Sequence, residues 1–95
     1  MSAYLLVDCE VTDPARYDEY RAIAPGAIAR YGGRYLARGG ETVQLEGDWV
    51  PRRVVVVEFP TLDAAKTFFD SPEYRAAREV RKGAANMNIV AVAGV

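Results

Sequence analysis

The feature that most constrains the fold is a run of four consecutive valines, Val54 to Val57, followed by Glu58, Phe59 and Pro60. β-Branched side chains favour an extended backbone, and a proline cannot continue the hydrogen bonds of a strand. Residues 52–59 are therefore predicted to form a strand. Successive side chains of a strand point to opposite faces, so this strand is apolar on both faces.

The rest of the chain reads as alternating strands and helices. Two helices are predicted to begin where a capping side chain precedes a proline, at Asp13-Pro14 and at Ser71-Pro72. Pro25 lies inside the first helix and predicts a kink or a break near Ala24. A short helix after Thr61 precedes the second proline-led helix. Further strands are predicted at residues 3–9, 34–38 and 87–95, with extended structure at 42–46.

The resulting order is β-α-β-β-α-β within one domain, residues 1–95. This is the ferredoxin-like, split βαβ arrangement of the α+β class. Right-handed crossovers predict a four-stranded antiparallel sheet of order 4-1-3-2, with the helices on one face. A monomer of this mass exposes about 5,400 Å² when folded, so the chain can bury a single core.

The outer sheet face carries an apolar surplus. Hydrophobic residues make up 51% of the chain, and the first and last strands are apolar on both faces, like Val54 to Val57. Antiparallel sheets with one face in water normally alternate apolar and polar residues. We therefore predict a homodimer in which a second copy covers the outer face. The alternative is an apolar face that is simply exposed.

Composition removes several classes of function. The net charge of −1 does not suit a protein that binds a phosphate backbone, and the central strand lacks the aromatic residues on which RNA bases would stack. The chain has no histidine and one cysteine, so neither a metal site nor a cofactor is predicted. The N-terminus resembles no signal peptide, and no stretch suits a membrane span, so a cytoplasmic protein without nucleic-acid or membrane partners is expected.

Several local signatures together resemble one family of small proteins. They are Ala24-Pro25 with Tyr31-Gly32-Gly33; Leu45-Glu46-Gly47-Asp48-Trp49; Val56-Val57-Glu58-Phe59-Pro60 with Ala64-Ala65; and Ser71-Pro72-Glu73-Tyr74 with Arg81. The chain resembles the domain of unknown function 1330 family of the dimeric α/β-barrel superfamily. The resemblance implies a homodimer whose sheets pack face to face. It implies no reaction, although superfamily relatives include cofactor-free monooxygenases, lactone isomerases and haem-degrading enzymes; the missing histidine argues against the haem branch.

Five residues are candidates for ligand binding. Helical spacing places Tyr74, Arg78 and Arg81 on one face of the last helix, where the arginines could bind a carboxylate at a pocket rim or simply face solvent. Tyr20 is either a core residue or a hydrogen-bond donor to a ligand. Arg38 precedes Gly39-Gly40, which either lets the backbone approach a ligand or forms a bulge.

These observations favour binding of a small anionic or aromatic metabolite between the helices and the sheet of each subunit. Arg78 and Arg81 would orient an anionic group, while Tyr20 and Tyr74 would hydrogen-bond or stack. If the protein is an enzyme, it is expected to be a cofactor-free isomerase or oxygenase. The alternative is a non-catalytic dimerisation or ligand-sensing module. Asp8, Glu10 and Glu58 are strand-end acids, more typical of solvated groups than of a catalytic pair.

Overall fold

The computed structural model describes residues 1–95 and contains the predicted order of elements. The elements are β1 (Ala3–Val11), α1 (Pro14–Arg30), β2 (Arg34–Arg38), β3 (Val54–Phe59), α2 (Leu62–Asp70), α3 (Pro72–Arg81) and β4 (Ala85–Ala93). The sheet order is β2-β3-β1-β4 and every neighbouring pair is antiparallel. This is the predicted order read from the opposite edge, and it confirms the ferredoxin-like α+β fold.

Both proline-led helices begin as their sequences indicate. The Asp13 carboxylate accepts a hydrogen bond from the Arg16 N–H at 3.2 Å, and the Ser71 hydroxyl accepts one from the Tyr74 N–H at 3.2 Å. Of the kink or break predicted near Ala24, the break is wrong, because α1 runs without interruption through Pro25, while the kink stays a prediction. Pro25 removes one backbone hydrogen bond, but buried residues on either side of it hold the helix against the sheet.

The connection between β2 and β3 differs from the prediction of extended structure. Residues 39–53 contain no strand, and residues 39–50 are all exposed. The ladder of β2 and β3 closes where the Gly39 N–H donates to the Val54 carbonyl at 2.8 Å. Gly39 then has a φ of +71°, which turns the chain away. Beyond that point the segment 42–46 has no neighbouring strand to satisfy its backbone groups, so its alternating sequence does not form a strand.

The two faces of the sheet have different surroundings. Leu5, Val57 and Phe59 point toward the helices and are buried with the aromatic rings of Phe68 and Tyr74. The Phe68 ring lies 5.1 Å from the Phe59 ring and 4.3 Å from the Tyr74 ring, between centroids. These closely packed, mutually tilted aromatic rings form the centre of the core.

The opposite, outer face remains apolar and partly open. Leu6 pairs with Val56 on one side and with Val90 on the other. Leu6 is 39% exposed and Val90 is 59% exposed. The whole chain exposes 6100 Å², more than the about 5,400 Å² expected of a compact monomer of this mass.

Candidate functional site

A small cavity lies between α1 and the inner face of the sheet. Its volume is about 40 Å³, and 12 of its 15 lining residues are hydrophobic. Its polar groups come from tyrosines and arginines, namely Tyr17, Tyr20, Tyr35, Tyr74, Arg21, Arg38 and Arg53. No carboxylate lines it. The cavity therefore combines apolar walls with hydrogen-bond donors and positive charge.

Two of these tyrosines form a buried pair across the helices. The Tyr20 and Tyr74 hydroxyl oxygens are 2.6 Å apart, and one hydroxyl donates to the other. Tyr20 is 8% exposed and Tyr74 is 2% exposed. Burial and the neighbouring Tyr74 raise the pKa of Tyr20 far above its usual value. Both phenols are therefore core residues, and both line the cavity.

The other two tyrosines are also held in the neutral form. The Cys9 thiol donates to the Tyr17 hydroxyl at 3.7 Å. Burial, followed by this cysteine, raises the pKa of Tyr17 to about 12, while the nearby Arg53 guanidinium opposes the rise. Burial raises the pKa of Tyr35 as well, against the opposing charge of Arg38. At neutral pH these phenols can donate hydrogen bonds to a ligand, but they do not act as bases.

Two arginines at the end of the sheet lack a carboxylate partner. The Arg38 guanidinium carbon lies 4.4 Å from the centre of the Tyr35 ring. The Arg53 Nε is buried and has no hydrogen-bond partner. The four ion pairs of the chain involve other arginines, namely Arg21, Arg30, Arg34 and Arg52. The positive charges of Arg38 and Arg53 are therefore free to meet an anion.

Arg53 was missed in the sequence analysis, although its position carried a signal. Side chains alternate along an extended chain, so Arg53 shares the inner face with Val55 and Val57. An arginine on the same face as buried valines is unusual and indicates a role other than keeping the surface soluble. Its neighbour Arg52 points the other way and forms an ion pair with Glu10 at 3.2 Å.

The structure separates the predicted ligand-binding residues into two groups. Tyr20, Arg38 and Tyr74 line the cavity together, whereas Arg78 and Arg81 do not line it. The Arg78 Nη2 donates to the Phe69 carbonyl at 3.0 Å, and its guanidinium lies 4.1 Å from the centre of the Phe69 ring. The Arg81 guanidinium lies 5.5 Å from the centre of the Tyr20 ring. These two arginines pack against aromatic rings of the core.

The outer face has its own polar contact at the edge of an open hollow. The Trp49 indole N–H donates to Asp8 at 2.9 Å, and the Arg52 backbone N–H donates to the same carboxylate at 3.1 Å. These hydrogen bonds, led by that of Trp49, lower the pKa of Asp8. The hollow, about 760 Å³ in volume, is lined mainly by apolar residues that include Leu6 and Val90. Asp8 thus anchors the long β2–β3 loop.

Two further features bear on function, clusters of metal-ligating side chains and long apolar helices. No group of three or more histidine, cysteine or acidic side chains is placed to hold a metal ion. None of the helices combines the length and the apolar character that crossing a membrane requires.

The sequence as a whole identifies the family. Residues 2–95 match the model of the family described as domain of unknown function, DUF1330. The chain belongs to this family. No curated protein has a sequence that matches this DUF1330 chain.

Solved structures with the same fold are similar to the DUF1330 chain along nearly its full length. A protein of unknown function from Rhodopseudomonas palustris is 19% identical with a TM-score of 0.77, over 99% of this chain and 82% of that one. SnoaB, a cofactor-independent oxygenase from Streptomyces nogalater, is 15% identical with a TM-score of 0.69, over 99% and 93%. A dimeric ferredoxin-like protein of unknown function from Thermobifida fusca is 18% identical with a TM-score of 0.68, over 99% and 92%. At these identities the similarity establishes the fold alone.

Proposed function

We propose that this DUF1330 protein is a homodimer that binds a small organic anion in the cavity between α1 and the sheet of each subunit. The observation that carries the proposal is the convergence of Arg38 and Arg53, neither of which has a carboxylate partner, on an apolar cavity. Arginine binds carboxylates through parallel N–H donors, and apolar walls increase the strength of such contacts. Aromatic metabolites remain within the proposed class where they carry an acidic group.

The tyrosines would complete the recognition of the ligand. Tyr20 and Tyr74 border the cavity and hold each other in place, so either hydroxyl can turn a hydrogen bond toward a ligand. Because their pKa values are raised, Tyr17 and Tyr20 present protons rather than negative charge. Arg78 and Arg81 would not contact the ligand. Arg78 packs on the Phe69 ring and Arg81 on the Tyr20 ring, and these contacts would help to fix the aromatic residues around the cavity.

Cofactor-free oxygenase or isomerase chemistry is the second candidate. The cavity offers positive charge and proton donors but no carboxylate base. Such a lining favours a cofactor-free reaction only for a substrate that is already anionic when it enters the cavity. The shared fold with SnoaB is compatible with such a reaction, but the fold alone does not assign one. An oxygen electrode with enolic and phenolic acids as substrates would test for this activity.

The dimer is supported by the exposed area of the chain. Its 6100 Å² exceeds the expectation for a compact monomer by about 700 Å², to which both the outer face and the exposed β2–β3 loop contribute. Each partner of a standard protein interface buries about 800 Å². The outer face offers a contiguous apolar patch around Leu6, Val56 and Val90 for this purpose. Ferredoxin-like proteins from Thermobifida fusca and Jannaschia that share the fold are described as dimeric.

Nuclear magnetic resonance tests the proposed ligand site. The amide signals of a ¹⁵N-labelled sample would be followed during titration with a panel of small carboxylates. We expect shifts for residues around the cavity, such as Tyr20, Ala24 and Val55, and none for Val90 on the outer face. Shifts confined to the outer face would contradict the placement of the site. A panel that shifts no signal would favour a dimerisation module without a ligand.

A further inference from the structure

Arg53 has a geometry that its neighbour Arg52 lacks. Arg52 is exposed and paired with Glu10, whereas Arg53 lines the cavity on the inner face. The Arg53 Nε is buried without an acceptor in the protein. A buried donor without a partner is costly, and a charged donor more so. A ligand oxygen in the cavity would relieve that cost.

Gly39 makes room for the Arg53 guanidinium. A side-chain carbon placed at Gly39 would overlap Arg53 Nη1 and would lie 2.7 Å from Arg53 Cζ. The missing side chain of Gly39 therefore leaves space for an arginine side chain, whereas the sequence left open a ligand close to the backbone or a bulge. The guanidinium is held at one end of the cavity, near Arg38 of the neighbouring strand.

The size of the cavity limits the ligand. An engineered cavity that binds benzene measures about 150 Å³, whereas this cavity measures about 40 Å³. Both an aromatic ring and an aliphatic chain of a few carbons are larger than this cavity, but the narrower chain would displace fewer lining atoms than the ring. Leu5, Val55 and Met87 provide apolar contacts for such a chain.

We propose that Arg53, held in place by Gly39, is the anion anchor of the cavity, and that the preferred ligand is a short-chain aliphatic carboxylate. The carboxylate would accept hydrogen bonds from the Arg53 guanidinium, with Arg38 adding positive charge. The alkyl chain would enter the apolar part of the cavity. This inference rests on the proposed function and names the residue and the ligand class that the proposed function leaves open.

Isothermal titration calorimetry with sodium butyrate and sodium benzoate tests the proposal. The wild-type protein would be compared with Arg53→Gln and with the matched control Arg52→Gln, which loses the same charge from the outer face. Loss of a charge-assisted hydrogen bond weakens binding about 10- to 100-fold, so we expect this change in the butyrate Kd for Arg53→Gln. Arg52→Gln should stay within about 2-fold of wild type, and the wild type should bind butyrate more tightly than benzoate.

A second pair of variants keeps the test valid if Arg53→Gln folds poorly. Gly39→Ala displaces the guanidinium while leaving Arg53 in the chain. Gly47→Ala is its control, because Gly47 also has a positive φ, +91°, but has no atom within 4 Å of the added carbon. Backbone strain affects both variants, so weaker butyrate binding by Gly39→Ala alone would support the anchoring role.

The outcomes separate the two proposals. If wild type binds butyrate and both Arg53→Gln and Gly39→Ala bind it equally well, the anchor is refuted and the proposed function stands. If benzoate binds more tightly than butyrate, the aliphatic ligand class is refuted. If wild type binds neither carboxylate, the proposed function fails, and this inference fails with it.

Discussion

The buried hydroxyl pair of Tyr20 and Tyr74 gives a prediction whose magnitude follows from the structure. The oxygens are 2.6 Å apart in a part of the core where Tyr20 is 8% exposed and Tyr74 is 2% exposed. Removing one hydroxyl leaves the other buried without its partner. The free energy of unfolding should fall by about 1–3 kcal/mol for Tyr20→Phe and for Tyr74→Phe.

The double variant should behave differently from the sum of the single ones. With both hydroxyls replaced by hydrogen, no unsatisfied group remains, and the loss of stability should not exceed that of the worse single variant. The coupling energy between the two positions is then at least as large as the smaller single loss, about 1–3 kcal/mol. Tyr31→Phe is a suitable control, because the Tyr31 hydroxyl bonds the partly exposed Glu73, where water can replace it.

Urea unfolding followed by circular dichroism measures these free energies. All variants must be compared at one protein concentration, since dimer formation would add to the stability of each of them. A domain of this size also shifts its Tm by roughly 4–8 °C per kcal/mol. Single variants as stable as wild type, or a double variant that loses the full sum of the two, would show that the hydroxyls are not a closed pair.

Three further predictions concern other parts of the molecule. The pKa of Asp8 is lowered from 3.8, so the hydrogen bond between Asp8 and Trp49 should persist above pH 3.8 and be lost as the pH falls through the folded-state pKa. Trp49 fluorescence should therefore change only below pH 3.8. The Asp8→Asn variant should not show this change. Because the pKa of Tyr17 is raised from 10.0 to about 12, stability should decline as the pH rises through that interval, as denaturation at several alkaline pH values would measure. Gly33→Ala places a carbon 2.7–2.8 Å from two core side chains and should lower the free energy of unfolding by about 1–3 kcal/mol. Gly26→Ala places a carbon that meets nothing within 4 Å and should raise the free energy of unfolding by about 0.5–1 kcal/mol. Thermal denaturation of both variants measures these changes.

The fold could be predicted because local signals and the global pattern agreed. The valine run, the two capped prolines and the order of the elements all indicated the same sheet. The predictions that failed concerned competition between local and tertiary effects. The packing of α1 on the sheet keeps the helix unbroken at Pro25. Residues 42–46 form no strand because no neighbouring strand pairs with them.

The candidate site was predictable only in part. Helical periodicity correctly placed Tyr74 near Arg78, but periodicity does not show which neighbour each side chain meets. Arg78 stacks on Phe69 of the preceding helix, a contact across a turn that spacing within α3 cannot show. Alternation along the chain indicated the inward direction of Arg53, but its position beside Gly39 depends on the pairing of β2 with β3, which the sequence does not show.

The proposed dimer through the outer face of the sheet is tested most directly by sedimentation equilibrium at micromolar concentration. The wild-type protein should have twice the 10.4 kDa mass of the chain. Val90→Glu, on the outer face, should sediment as a monomer, while Ile23→Glu, on the exposed side of α1, should remain a dimer. A wild-type mass of 10.4 kDa, or a Val90→Glu variant that stays dimeric, would contradict the proposed sheet-to-sheet assembly.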